Sequence, residues 1–97
     1  LVADAVRVAT RYLNHHPDDA TVLADRALAS QILRRYGDAA RDFAIAARIT
    51  GDAQTATFAG FAALHAGNRA GARRLFTRAR AVDPSFAPAM RGLRATS

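Results

Sequence analysis

The chain has 97 residues, with 14 basic side chains, all arginine, against 8 acidic ones, all aspartate, for a formal charge of +6; that length holds one domain and excludes a two-domain enzyme. With 25 alanines, 7% aromatics and three prolines, the composition favours helix and argues against a β-fold, and 51% hydrophobic residues are far from a disordered profile. The lack of cysteine excludes a disulfide framework, a thiolate nucleophile and a cysteine zinc site.

In chain order, six helices are predicted, at about 2–15, 20–34, 38–49, 53–66, 69–82 and 87–95. The first carries Val2, Ala5, Val6, Ala9 and Leu13 at helical spacing and closes at His15-His16-Pro17. The second follows the caps Asp18 or Asp19 and repeats Leu23, Ala27, Leu28 and Ile32. Asp38, Asp52 and Asn68 stand where they can cap the third, fourth and fifth, and Ser85 lies upstream of Pro88 at the sixth. Short connections predict antiparallel neighbours. The chain opens at Leu1, already in a helical pattern, which reads as a piece cut from a longer protein.

An internal repeat emerges on sliding the sequence by 33 residues. Ala39, Phe43 and Ala46 fall on Ala72, Phe76 and Ala79, and Ala20, Ala29 and Arg41 on Ala53, Ala62 and Arg74. Upstream, Ala5, Ala9, Tyr12 and Pro17 keep the same spacing, with the aromatic and small roles exchanged. The small residues Ala27 and Gly60 allow close helix approach opposite Phe43 and Phe76, and Ala46 and Ala79 leave room for the next hairpin to stack. Each phenylalanine contributes about 1.5–3 kcal/mol on burial, and its truncation to alanine costs about 3–5 kcal/mol at a fully buried site.

These positions resemble the tetratricopeptide repeat, in the alanine- and arginine-rich form found in bacterial proteins. The resemblance places a half repeat at 1–19, repeats at 20–52 and 53–86, and the start of a further or capping helix at 87–97, all within one domain, 1–97. Departures are Ala56 where the first repeat has Leu23, Ser30 and Ala63 in place of an aromatic, and Gly51 in place of the proline. The fold class it implies is all-α: antiparallel helix-turn-helix repeats stacked as a short right-handed solenoid. It further implies a concave surface lined by the first helix of each pair, where a partner's peptide or helix sits. By period, that surface takes Thr21, Ala24, Asp25, Leu28 and Ile32 from one repeat and Gln54, Thr57, Phe58, Phe61, Leu64 and His65 from the next. At least one of Phe58 and Phe61 points away from the hairpin core. Phe61 either faces the groove or packs on a neighbouring helix. The basic-plus-asparagine set that clamps acidic chain termini in some family members is missing, so an apolar or helical ligand is expected, anchored on Leu28, Phe58, Phe61 and Leu64.

No catalytic, cofactor or metal site is expected. The glycines form no phosphate cradle after a strand. His15 and His16 diverge by about 100° on a helix and cannot chelate one ion together; they and His65 read as helix-end residues. The aspartates fall at caps and turns, so no acid/base pair stands out. Arg7, Arg11, Arg41, Arg48, Arg73, Arg74, Arg78 and Arg80 fall on second helices without interleaved aromatics, which reads first as solubilising charge and leaves nucleic-acid binding as the minor alternative. A subsidiary expectation is that this face docks an acidic partner or an anionic surface. Self-association is the alternative to groove binding, through Val2, Val6 and Leu13 at one end and Met90 and Leu93 at the other. No stretch is long enough to span a bilayer, and a soluble protein of the bacterial cytoplasm or periplasm is expected.

Overall fold

In the computed structural model, which describes Leu1–Ser97, the chain forms six helices and no strand: α1 (Val2–Leu13), α2 (Ala20–Ile32), α3 (Tyr36–Thr50), α4 (Ala53–His65), α5 (Arg69–Val82) and α6 (Ala87–Ala95). Each packs against the next. The pairings run in opposite directions along each pair: Leu13 meets Leu23 while Thr10 meets Arg26, and Ala46 meets Leu23 while Phe43 meets Ala27. Neighbouring helices are therefore antiparallel. The molecule is elongated, with extents of 37 × 24 × 17 Å.

Polar caps set three of the six helix starts. The Asp19 carboxylate accepts from the Val22 amide at 3.2 Å, Asp52 from Thr55 at 2.6 Å and Asn68 from Gly71 at 2.9 Å, each satisfying an amide with no intrahelical partner. Two expected caps do not form. Asp38 lies inside the first turn of α3, because the helix begins at Tyr36 on an Arg35 cap position whose side chain makes no cap bond. Its charge there still complements the positive end of the helix dipole. Ser85 does not cap α6 either, since its amide and hydroxyl both turn to the Asp83 carboxylate, at 3.0 and 2.7 Å.

Two helix ends fall short of their predicted limits for a backbone reason. After α2, Arg34 takes a left-handed conformation (φ 60°), and the Arg35 amide returns to the Ser30 carbonyl at 2.8 Å. After α4, Gly67 does the same (φ 84°), and the Asn68 amide returns to Ala63 at 2.9 Å. Both are Schellman closures. α1 likewise stops at Leu13, leaving His15 and His16 in the turn, where His16 stacks on Tyr12 with 4.4 Å between ring centres.

The core repeats with the sequence. Phe43 of α3 is buried against Ala27 of α2, Ala39 of its own helix, and Ala59 and Ala62 of α4. Phe76 of α5 is buried with Ala63 and Ala72 and wedged against Gly60 of α4 and Gly92 of α6. Adding 33 to Ala27, Phe43 and Ala59 gives Gly60, Phe76 and Gly92. Each phenylalanine thus joins the two helices of its own hairpin and also ties that hairpin to the next helix along the chain, α4 for Phe43 and α6 for Phe76. Ala79 packs with Ala53, Ala56 and Ala89 as the stacking position requires. Ala46 instead turns back toward Leu13 and Leu23, so Leu13, expected as an uncovered end residue, is buried.

Candidate functional site

The predicted groove residues separate into three groups. Leu28, Ile32 and Phe58 are open to solvent, at 51%, 68% and 44% exposure, and Thr21, Asp25, Gln54 and His65 are exposed beside them in sequence. Leu28 and Ile32 are one turn apart and share a face of α2. Phe58 keeps one side on Phe43, with 5.6 Å between ring centres, and offers the other to solvent. Its exposure answers the expectation that one of the two α4 phenylalanines points outward.

Phe61 and Leu64 form the second group. Phe61 sits edge-on to Phe76 at 4.8 Å between ring centres, and both pack partly buried against the Phe76 cluster together with Leu93. Phe61 therefore supports the core as well as bordering the surface. Thr57 is a correction, because it is buried and its hydroxyl donates to the Ala53 carbonyl at 2.8 Å. A threonine that satisfies its own hydroxyl one turn back can enter the core, and helical period alone does not reveal that. His65 stacks on Tyr36 at 5.1 Å across the start of α3.

The outward apolar residues do not enclose a pocket. Thr21, Ala24 and Asp25 line a shallow cleft of about 250 Å³ with Ala46, Thr50 and Thr55, whereas Leu28, Ile32 and Phe58 border no cavity.

Charge gathers on other faces, including that of α2 itself. Arg26 forks onto Asp42, Nε to Oδ2 at 2.7 Å and Nη2 to Oδ1 at 2.8 Å, while its Nη1 donates to the Thr10 hydroxyl at 3.1 Å, so one guanidinium ties α1, α2 and α3 together. The Asp42 side chain is 6% exposed and that of Arg26 24%, and the hydrogen bond to Asp42 raises the Arg26 pKa further. Bidentate geometry makes this the strongest ion pair of the molecule. Arg7 pairs with Asp4, and Arg41 stands 3.8 Å from Asp38, both on exposed helix surface where such pairs contribute little.

At the helix starts, the Asp19 carboxyl is held below its ordinary value by the Val22 amide and then by the Tyr12 hydroxyl, which donates to it at 2.9 Å. The same bond to Asp19 pushes the Tyr12 hydroxyl upward. Burial alone would raise Asp52, but the bonds it accepts from Thr55, Thr50 and Gln54 outweigh that and hold it low. These are structural carboxylates. No three histidine or aspartate side chains converge as a metal cluster, and no helix is long and apolar enough to cross a membrane.

No protein-family model matches the chain, and no curated protein matches it as a relative.

Proposed function

We propose that this chain is a non-catalytic protein-interaction module of tetratricopeptide type, which receives an apolar peptide or helix on the surface of α2 and α4. The observation that carries this reading is the exposure of Leu28, Ile32 and Phe58 on two helices that occupy equivalent places in a helical repeat. Scattered single apolar residues on a surface need no explanation, whereas large ones at repeat-equivalent helices form a candidate docking strip. Asp25 beside Leu28 gives a basic residue on the ligand a place to pair. The repeat-equivalent packing of Phe43 and Phe76 supports the family assignment.

Selection of a displayed helical-peptide library on the whole chain tests the reading, with counter-selection on a Leu28→Ser/Phe58→Ser variant. Recovery of apolar-anchored sequences that lose at least about tenfold in affinity on that variant is the expected result. Peptides that bind both proteins equally would show that the strip is not the docking surface. Phe61 is the wrong probe, since its contact with Phe76 mixes binding with stability.

Self-association is favoured by a different observation: α1 exposes Val8 at 64% and Tyr12 at 41%, with Leu1 fully open. A second copy seated on α1 would cover them. Light scattering across a concentration series decides this reading, which predicts a mass that climbs from 10.3 kDa and stays raised in high salt; a constant monomer mass removes it.

A further inference from the structure

Two clefts flank α3, and they are repeat-equivalent. The first lies between α1 and α3 and is lined by Ser30, Arg35, Asp38, Arg41, Asp42 and Ile45, among others. Adding 33 to each gives Ala63, Asn68, Gly71, Arg74, Leu75 and Arg78, all of which line the second cleft, between α3 and α5. The two differ in how their charge is answered. In the first, Asp42 holds Arg26 and Asp38 stands by Arg41. In the second, those two acids have become Leu75 and Gly71, Arg41 contributes from the α3 side, Arg74 stays, and Ile45 has become Arg78. Three exposed arginines therefore line it with no carboxylate among the lining residues; Arg41 keeps Asp38 at 3.8 Å, whereas Arg74 and Arg78 form no ion pair anywhere in the molecule.

A solubilising role explains an arginine on an open helix face but not three around one cleft. Cations that share a concave wall reinforce one another's potential, and guanidinium groups match the oxygens of phosphate in a fork. The volumes differ in the same sense, about 450 Å³ for the second cleft and about 270 Å³ for the first. Small-molecule sites occupy roughly 300–1,000 Å³, so only the second has the room. Its floor is apolar, from Ala40, Ala63 and Leu75, where a bare inorganic anion would leave carbon surface uncovered.

We propose that the α3–α5 cleft binds a compact organic phosphate, with Arg41, Arg74 and Arg78 on its oxygens and the alanine–leucine floor under its organic body. This goes beyond the docking strip on α2 and α4 and uses none of its residues.

Calorimetric titration of the whole chain with adenosine diphosphate, inorganic pyrophosphate and a single-stranded oligonucleotide tests it at low and physiological salt. The expected result is saturable one-site binding of the nucleotide below about 1 mM, at least about threefold tighter than pyrophosphate because of the floor. Arg78→Ile, which copies the first cleft, and Arg74→Gln should each weaken it by about tenfold. Arg48→Gln removes the same charge away from the cleft and should change it by less than about twofold. All three positions are exposed, and unchanged melting of the variants verifies that they fold. Absence of saturation overturns the proposal, as does equal affinity for pyrophosphate. An oligonucleotide that binds more tightly than the nucleotide and weakens equally in all three variants also overturns it, in favour of a diffuse basic face.

Discussion

Within the α2–α3 hairpin the helices are joined partly by charge, through the Arg26–Asp42 fork; in the α4–α5 hairpin the same two positions are Ala59 and Leu75. The turn differs as well: Arg34-Arg35 closes the first hairpin and Gly67-Asn68 the second. So does the fit of the central ring, which meets alanines in the first and, in the second, glycines on both α4 and α6. One backbone plan is thus satisfied by an ionic, more strained solution and by an apolar, tightly apposed one. The ionic hairpin pairs Arg26 and Arg41 with its own aspartates, and the arginines of the apolar hairpin form no ion pair.

The largest expected effect breaks the ionic solution. Arg26→Ala leaves the Asp42 carboxylate buried without its partner and should cost about 3 kcal/mol in denaturant unfolding. The double variant Arg26→Ala/Asp42→Leu installs the pair found in the second hairpin. Replacing a buried ion pair by apolar residues of suitable shape is often neutral, so the double variant should recover most of the loss. Whatever remains belongs to the bond from Arg26 to Thr10, and faster amide exchange confined to α1 would locate it there. A double variant as unstable as the single one would mean that the two hairpins are not interchangeable solutions.

Next in size is the fit around Phe76. A Cβ at Gly60 would stand 2.5 Å from Cε1 of a fully buried ring that Gly92 pins from the other side. Gly60→Ala should therefore destabilise by about 1–3 kcal/mol through overpacking, although alanine has the better helix propensity by about 1 kcal/mol. The equivalent position in the first hairpin already holds Ala27 against Phe43. A stabilised Gly60→Ala, measured by thermal melting, would show that the ring has room to move.

Smaller, and opposite in sign, is the turn. Arg34 holds a left-handed conformation that disfavours a side chain by roughly 1–2 kcal/mol, a cost glycine avoids. Arg34→Gly should gain about 1 kcal/mol, and Gly67→Ala should lose about as much. Transplanting Asn68 is not equivalent: its side chain lies where a Cβ on Gly71 would be, and the matching residue in the first hairpin is Asp38.

These contrasts also mark how far the sequence could be read. Starts signalled by Asp19, Asp52 and Asn68 were legible because a short polar side chain before an apolar period has one common use. The α2 end was not, since an arginine in the left-handed region carries no local signal; the amides of Arg34 and Arg35, bonded back to Gln31 and Ser30, hold it there. The residues wedged on Phe43 and Phe76 were partly legible from the small and aromatic positions of the repeat. Among the surface residues, period placed Leu28, Ile32 and Phe58 outside but could not see Thr57 satisfy its hydroxyl inside its own helix. The α3–α5 cleft did have a signal in the sequence: the 33-residue alignment that pairs Arg41 with Arg74 also pairs Asp38 and Asp42 with Gly71 and Leu75. The loss of both acids becomes meaningful only once the fold places them around one cavity.

The smallest expected effect is one of pH, and it too divides the hairpins' helices. Asp19 caps α2 and Asp52 caps α4, and both carboxyls lie below their ordinary value of 3.8. The unfolded chain then binds more protons than the folded one at pH values just under that figure, so stability rises with pH there. The contribution of each cap is complete above the ordinary value and is lost as pH falls through the lowered one. α5 starts instead on Asn68, whose amide does not titrate. Acidification from pH 5 toward pH 3, bounded by the roughly 3.9 of an unperturbed aspartate, should therefore lower the amide protection factors, taken relative to the intrinsic exchange rate at each pH, in the first turns of α2 and α4 before those of α5. Asp52→Asn keeps an acceptor at the cap and should remove the acid sensitivity of α4 alone. If the first turn of α5 loosens in step with the other two, the response belongs to global unfolding and the caps are not its origin.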